Sequence, residues 1–479
     1  MPVLTEEIHR LKTALHTELQ RLRREGNPRA LVRVEIPLSG VAPLAWLRRQ
    51  SSPVRLYWQS RDKSLEVAAI GAAHSIASDQ GMSFSEALDT IHRNIGRSDK
   101  PLRYYGGAAF DPTHAASAAW GALGAFRFLL PRFEVVRQAD QAVFAVHLCW
   151  EDNRRFEQEA RCVEEEYEAL RFDEADAGSE VQPGIDDLSV EQVAIEPEKD
   201  AWCERVRQVL SELGRDAKKL VLACRRSLQL SRDVDGVALL AHLRTRSPEA
   251  YQFLFQWDRN AFLGSSPECL YRREGREVYT EAVAGTCRRE EDGVSGEEVG
   301  RILLNCPKEI AEHDYVVTDL RSALEAVCTR VEMSEGKEVV PWNRLYHLRT
   351  RFSGTLAEGC SDCAVIRSLH PSAAVLGYPR SRAWEMLAGV ERFNRGWYAG
   401  PVGWIGREGA EFAVAIRSAL VRGKSLDVFA GAGIVAGSQP QREWEEVKSK
   451  MGLFLEAFGL DSASEMERCG KGAESVGKP

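Results

Sequence analysis

Apolar positions divide the chain into stretches of different texture. Ile8, Leu11, Leu15, Leu19 and Leu22 recur at helical spacing among charged residues, which predicts an amphipathic helix ending at Gly26. From about residue 30 to 170 short strands dominate. Leu31-Val-Arg-Val-Glu-Ile-Pro, Val54-Arg-Leu-Tyr-Trp and Ala142-Val-Phe-Ala-Val-His each alternate apolar with polar positions. Phe84 to Ile95 reads as a helix, and residues 154 to 171, rich in Glu and Arg, carry helical periodicity. The texture then changes: Asp173 to Glu198 is acidic, with Gly, Ser and Pro and few large apolar residues. After Trp202 strands and helices alternate to about residue 460. This predicts an N-terminal α/β subdomain over 1–172, an acidic linker over 173–199, a second folded region of alternating strands and helices over 200–460 and a flexible tail over 461–479.

Composition narrows the classes of function. The 479 residues are 44% hydrophobic and 28% charged, an ordinary globular balance. A net charge of −8 argues against a general nucleic-acid or anionic-membrane surface. An acidic protein that binds an anion must do so locally, with placed cations, metal and backbone amides. No apolar run is long enough to span a membrane. Eleven cysteines, an odd number without repeated spacing, fit a reducing cytoplasm better than a secreted disulfide framework. Cys360-Ser-Asp-Cys363 is a lone CxxC, short of the ligands zinc needs.

Candidate chemistry concentrates late in the chain. Phe429-Ala-Gly-Ala-Gly reads as an apolar segment ending in a Gly-Ala-Gly turn, followed by a helix that bears Glu443, Glu446 and Lys450. Glycines let amides approach an anion, and helical positions three and four apart share a face. The set suggests an anionic substrate held through a metal. Gly431-Ala-Gly433-Ile-Val-Ala-Gly437 also resembles a dinucleotide loop, but no βαβ unit with a following acidic residue surrounds it.

Earlier segments add reactive groups. Lys219 opens the apolar strand Leu220-Val-Leu-Ala, where desolvation would make a lysine a usable base. Taken alone, a solvated strand-end lysine is the commoner arrangement. Glu268, in Ser-Ser-Pro-Glu268, follows an apolar strand, and burial would let it donate a proton; a turn carboxylate in water is again the commoner case. Gly285-Thr286 ends a strand with exposed donors, and Pro307 opens a helix on which Glu309 and Glu312 share a face. Magnesium usually takes one or two carboxylates plus substrate and water, so Glu312 would need a partner such as Glu446.

Together these segments resemble the chorismate-utilising enzymes: the isochorismate, salicylate, anthranilate and aminodeoxychorismate synthases. The matches are Lys219-Leu-Val-Leu-Ala, Ser266-Pro-Glu268, Ala284-Gly-Thr286, Glu312-His313 and His347-Leu-Arg-Thr-Arg-Phe-Ser-Gly. They continue in family order with Leu369-His-Pro, Gly396-Trp-Tyr398, Ala415-Ile-Arg417 and the Gly-Ala-Gly segment, over roughly residues 200 to 460. Lysine at 219, where the ammonia-using branch typically has glutamine, and Ala284 before Gly-Thr resemble the water-using branch. Leu44-Ala-Trp-Leu-Arg-Arg-Gln with Val54-Arg-Leu-Tyr-Trp-Gln-Ser-Arg-Asp is similar to the menaquinone-type isochorismate synthases. Three departures stand out: Cys224 in place of the usual arginine, Leu-His-Pro-Ser-Ala-Ala, and Gln-Pro-Gln near 440.

The resemblance implies an α+β, anthranilate-synthase-like fold of two large, mainly antiparallel β-sheets packed together with helices outside. It implies a Mg²⁺-dependent, cytoplasmic isomerase converting chorismate to isochorismate, as a monomer or homodimer, for menaquinone synthesis. Lys219 would be the base and Glu268 the acid. Glu312 and Glu446 would hold Mg²⁺, with Glu443 acting through water. Gly285, Thr286, His347, Tyr398, Arg417, Gly431, Ala432, Gly433 and Lys450 would bind substrate. The alternatives are a salicylate synthase, which also eliminates pyruvate, then an anthranilate synthase large subunit. A non-catalytic chorismate-binding partner subunit would lack the base, acid or metal carboxylates.

Overall fold

Twenty strands organise the described residues. A computed structural model describes residues 2–25, 30–98, 100–113, 117–139, 141–150, 153–172, 185, 188–214, 216–288, 296–342 and 345–460. The first six strands are β1 (Ala30–Leu38), β2 (Val54–Gln59), β3 (Leu65–Ala77), β4 (Arg103–Ala108), β5 (Phe126–Gln138) and β6 (Gln141–Trp150). Then come β7 (Val190–Glu196), β8 (Lys219–Leu230), β9 (Tyr251–Trp257), β10 (Asn260–Ser266), β11 (Cys269–Glu274) and β12 (Glu277–Arg288). The rest are β13 (Cys328–Met333), β14 (Glu338–Trp342), β15 (Leu345–Leu356), β16 (Gly377–Tyr378), β17 (Pro401–Gly406), β18 (Gly409–Val414), β19 (Ser418–Arg422) and β20 (Ser425–Val435).

Every ladder between these strands is antiparallel, and the ladders form two arms that share β5. One arm runs β5-β3-β2-β9-β10-β19-β20-β8, with β7 and β16 on the far edge of β8. The other runs β5-β4-β17-β18-β11-β12-β15, with β13 and β14 pairing along β15. Two sheets are thus joined at one strand, with β6 and β1 continuing from β5. The hydrogen bonding crosses the expected boundary at residue 172, because β2 pairs with β9 and β4 with β17.

The stretch expected to be a linker holds β7 in its last part. Val190, Val193 and Ile195 are half-buried while Glu191 and Gln192 are exposed, and the strand pairs with β8. Its acidic side chains point outward, which hid an edge strand behind a loop-like composition. Of the rest of that stretch, residues 173–184 and 186–187 lie outside the described residues, as does the tail over 461–479.

Between the arms lies an aromatic core. Trp397 packs on Phe255 and Phe262 at 5.9 and 6.0 Å, and Trp120 on Phe262 and Phe429 at 5.4 and 5.8 Å. Tyr398 stacks on Phe429 at 5.3 Å, carrying this core up to a cleft. The helix Pro2–Glu25 lays Leu11, Leu15, Leu19 and Leu22 against β1, as its spacing predicts. No helix among the described residues is long and apolar enough to cross a membrane.

Candidate active site

The chain changes arms twice at one place. Pro267 and Glu268 carry it from β10 to β11, and Ala415-Ile-Arg417 carries it back from β18 to β19. The two crossovers are stitched together. Ser266 donates its hydroxyl to the Val414 carbonyl at 2.6 Å, the Val414 amide donates to the Glu268 carbonyl at 3.1 Å, and the Ser265 amide donates to the Arg417 carbonyl at 3.0 Å. Proline suits such a break, since it has no N–H to continue a ladder. Arg417 takes a left-handed φ of 49°, an uncommon conformation for a side-chain-bearing residue, held here by its neighbours. Beside this seam opens a cleft.

Glu268 lines the cleft yet is almost wholly buried. Burial, then the charge of Glu281, push its carboxyl up to about 8 against the opposing pull of Lys219, Lys450 and Arg61. At neutral pH it therefore holds a proton, as a donor to a leaving hydroxyl must.

Lys219 starts β8, with no exposure to solvent. Its Nζ lies 3.1 Å from Glu312 Oε1, a pair outside hydrogen-bond alignment, so among the described residues no acceptor satisfies this nitrogen. The pair meets over Gly433, opposite Val221 in the β8–β20 ladder. A Cβ at 433 would stand 2.1 Å from Glu312 Oε1 and 2.9 Å from Lys219 Cε, so only glycine leaves room for both. The Gly-Ala-Gly segment is thus not a turn. It is the end of β20, and the chain reverses at Gly437, φ 90°, before the helix Pro440–Leu455. Pairing of β19 with β20 stops at Phe429, so beyond it β20 has a strand partner, β8, along one edge.

Two helices bring four carboxylates together. Glu309 and Glu312 sit on Pro307–Glu325, and Glu443 and Glu446 on Pro440–Leu455. Lys308 stands among them, its Nζ 3.1 Å from Glu309 and 3.0 Å from Glu443, and their charges hold its ammonium well above the usual range. Burial, then Glu446, push Glu443 up to about 7. Burial works the same way on Glu446, but Lys450 and Lys308 outweigh it and hold that carboxylate below the usual range. Among the described residues no three acidic, His or Cys side chains converge tightly enough to cage a metal alone. Crowded hard oxygen donors, short of positive charge and short of a full cage, fit an ion that completes its shell with substrate and water, as Mg²⁺ does.

The remaining cleft groups are donors and cations. Gly285, φ 77°, sits at a bulge between β12 and β15 where a Cβ would meet the Glu309 carbonyl at 3.0 Å. The bulge turns the Thr286 amide to donate to Glu309 at 2.8 Å. His347 is held neutral, near 3, by burial and then by Arg417 and Lys450. Its Nδ1 lies 3.3 Å from the Gly285 carbonyl and 3.2 Å from the Thr286 hydroxyl; with the proton on Nδ1, the buried Nε2 would stand as an acceptor. Burial pushes the Tyr398 phenol up and brings Arg417 down to about 10, so both are protonated at neutral pH. Lys450 donates to the Gly431 carbonyl at 2.9 Å and to Glu446 at 2.6 Å.

Of the residues singled out in the sequence, Glu268, Gly285, Thr286, Glu312, His347, Tyr398, Arg417, Gly431, Gly433 and Lys450 line the cleft. Lys219 lies just behind Gly433 and Glu312. Glu446 and Glu443 stand behind Lys450 and Lys308, and Ala432 is buried in the strand and does not line the cleft. Sequence reasoning missed Arg395. It lines the cleft and pins β8, donating to the Val221 carbonyl at 2.8 Å and gripping Glu391, which accepts from the Ala223 amide. Its signal was its position just ahead of Gly396-Trp-Tyr398.

Comparison with known proteins agrees in family and fold. Residues 17–459 match the family described as "Chorismate binding enzyme". The chain is 32% identical to the isochorismate synthase MenF of Haemophilus influenzae over 96% of this chain and 97% of that one. It is 32% identical to a chloroplastic isochorismate synthase of Catharanthus roseus, over 85% of this chain and 71% of the relative. The structure of the menaquinone-specific isochorismate synthase MenF from Escherichia coli superposes with a TM-score of 0.80 and 28% identity, covering 94% of this chain and 99% of the other. Anthranilate synthase component I of Streptococcus pneumoniae, at 18% identity and a TM-score of 0.66 over 87% of this chain and 98% of its own, shares the fold.

Proposed function

The chain belongs to the chorismate-binding enzymes, and on that premise we propose that it is a Mg²⁺-dependent isochorismate synthase. Water adds at carbon 2 of chorismate, the ring double bonds shift, and the carbon 4 hydroxyl leaves as water. The observation that carries this reading is Glu268, a buried carboxyl that keeps its proton at neutral pH and lines the same cleft as the wall in front of Lys219.

Lys219 is the base that takes a proton from the incoming water. Glu268 gives one to the departing hydroxyl, and proton exchange with solvent resets the pair. Each group is typically worth about 10²–10⁴-fold. Glu312 and Glu446 would hold Mg²⁺, with Glu443 acting through water; the ion, when bound, neutralises and anchors the ring carboxylate. Tyr398, Arg417 and Lys450, with amides on the edge of β20 that β19 does not cover, take the enolpyruvyl carboxylate. His347 and the Gly285–Thr286 bulge complete the polar wall.

The MenF-like match over nearly the whole chain supports supply of menaquinone synthesis, and the free thiols among the described residues fit a reducing cytoplasm. Incubating purified protein with chorismate and Mg²⁺ and resolving the products tests the reading. Isochorismate without pyruvate is expected. Stoichiometric pyruvate would make the protein a salicylate synthase, and no turnover would remove the assignment.

A further inference from the structure

Behind Glu268, away from the cleft, lies a charged pair that the chemistry above does not use. Arg61 sits in the turn between β2 and β3, far from the catalytic segments in sequence. Its guanidinium donates to the Pro267 carbonyl at 2.7 Å and grips the Glu281 carboxylate with two nitrogens, Nη2 to Oε2 at 3.0 Å. Glu281, on β12 and nearly buried, accepts from the Cys269 amide at 3.4 Å. The peptide groups immediately before and after Glu268 are therefore held by the two halves of one ion pair.

From this clamp we infer that Arg61 and Glu281 are positioning residues for the general acid, fixing where Glu268 stands and how firmly it holds its proton. The inference rests on the reading of Glu268 as the acid. Neutral side chains would suffice to satisfy one carbonyl and one amide. A full charge pair removed from water is costly, and here it adds a field at the carboxyl. The groups facing Glu268 are Glu281 from β12, Lys219 from β8, Lys450 from the helix Pro440–Leu455 and Arg61 from the turn. Glu281 is the one anion among them and acts more strongly than any of the three cations. Glu281 in turn is faced by Arg61, by Arg349 of β15 at 3.9 Å, and by the buried Cys269 thiol. Removing the Glu281 charge leaves cations alone around Glu268, and its proton must leave at lower pH.

The test is an infrared titration of the Glu268 carboxylic-acid band, assigned by its loss in Glu268→Gln. Glu281→Gln, which keeps size and acceptor oxygen, should lower the midpoint by about one pH unit or more. The alkaline limb of kcat should fall with it, and KM should change less. Glu281→Asp, which draws the charge back, should shift the midpoint the same way by less, and Arg61→Lys should keep the midpoint near the parent value while kcat drops. An unmoved midpoint in both Glu281 variants, or a uniform loss of kcat with the limb in place, overturns the inference. The titration needs no substrate, so a parent protein that fails to turn over chorismate counts against the proposed function alone.

Discussion

The Lys219 Nζ and the Glu312 carboxylate lie 3.1 Å apart across a strand position that has no side chain. The proposed base and the proposed metal carboxylate thus share one pocket wall, with Gly433 leaving room for both.

Gly433→Ala tests that wall. The new methyl would sit inside contact distance of both side chains, and the Glu312 carboxylate, the nearer of the two, must move. Isochorismate formation should fall by about 10²-fold or more, in line with misplacement of a catalytic group, while circular dichroism stays that of the parent. A variant with near-parent turnover would mean that the Lys219–Glu312 approach is not needed.

Lys219→Ala and Glu268→Gln should each remove measurable turnover from a folded protein. Chorismate binding should survive Glu268→Gln better than Lys219→Ala, because Lys219 also balances Glu312. Isothermal calorimetry beside a product assay separates the two effects. Parent-like rates in either variant would defeat the acid–base assignment.

Glu268 also makes stability depend on pH. Its carboxyl rises from the ordinary 4.5 to about 8 on folding, so the folded state binds the extra proton between those values. Its contribution is full below about 4.5, declines as pH rises and is lost above about 8, with a slope of at most about 1.4 kcal/mol per pH unit. Glu268→Gln carries no such proton. Thermal melts of both proteins from pH 5 to 9 should show the variant gaining on the parent as pH rises. A constant gap would mean that Glu268 is already ionised in the folded protein.

Metal dependence gives the fourth test. Glu312→Ala should abolish the Mg²⁺ dependence of chorismate binding, read by calorimetry with and without the ion. Lys308 already neutralises part of the cluster, so residual binding without Mg²⁺ is expected in the parent. A variant that still needs Mg²⁺ to bind chorismate would move the metal away from Glu312.

Much of this site is legible in the sequence because each segment carries its own local oddity. A lysine opens an apolar run at 219, a proline stops a strand before 268, and glycines recur where side chains would be expected. The use made of those oddities is not local. Gly431-Ala-Gly433 reads as a turn because turns are the usual reason for adjacent glycines, whereas the reason at 433 is Glu312, 121 positions earlier. Arg61 and Glu281 are 220 positions apart and give no signal until the strands that carry them are placed. The strand at Val190–Glu196 stayed hidden because an edge strand facing water on one side needs few apolar residues.

The stitched crossovers have a mechanical consequence. Glu268 and Arg417 sit on the line where the two arms meet, tied backbone to backbone, whereas Lys219 lies out on one arm and Thr286 and His347 on the other. Any flexing of one arm against the other pivots about that line. Glu268 and Arg417 then keep their spacing like points on an axle, and Lys219, Thr286 and His347 swing relative to them.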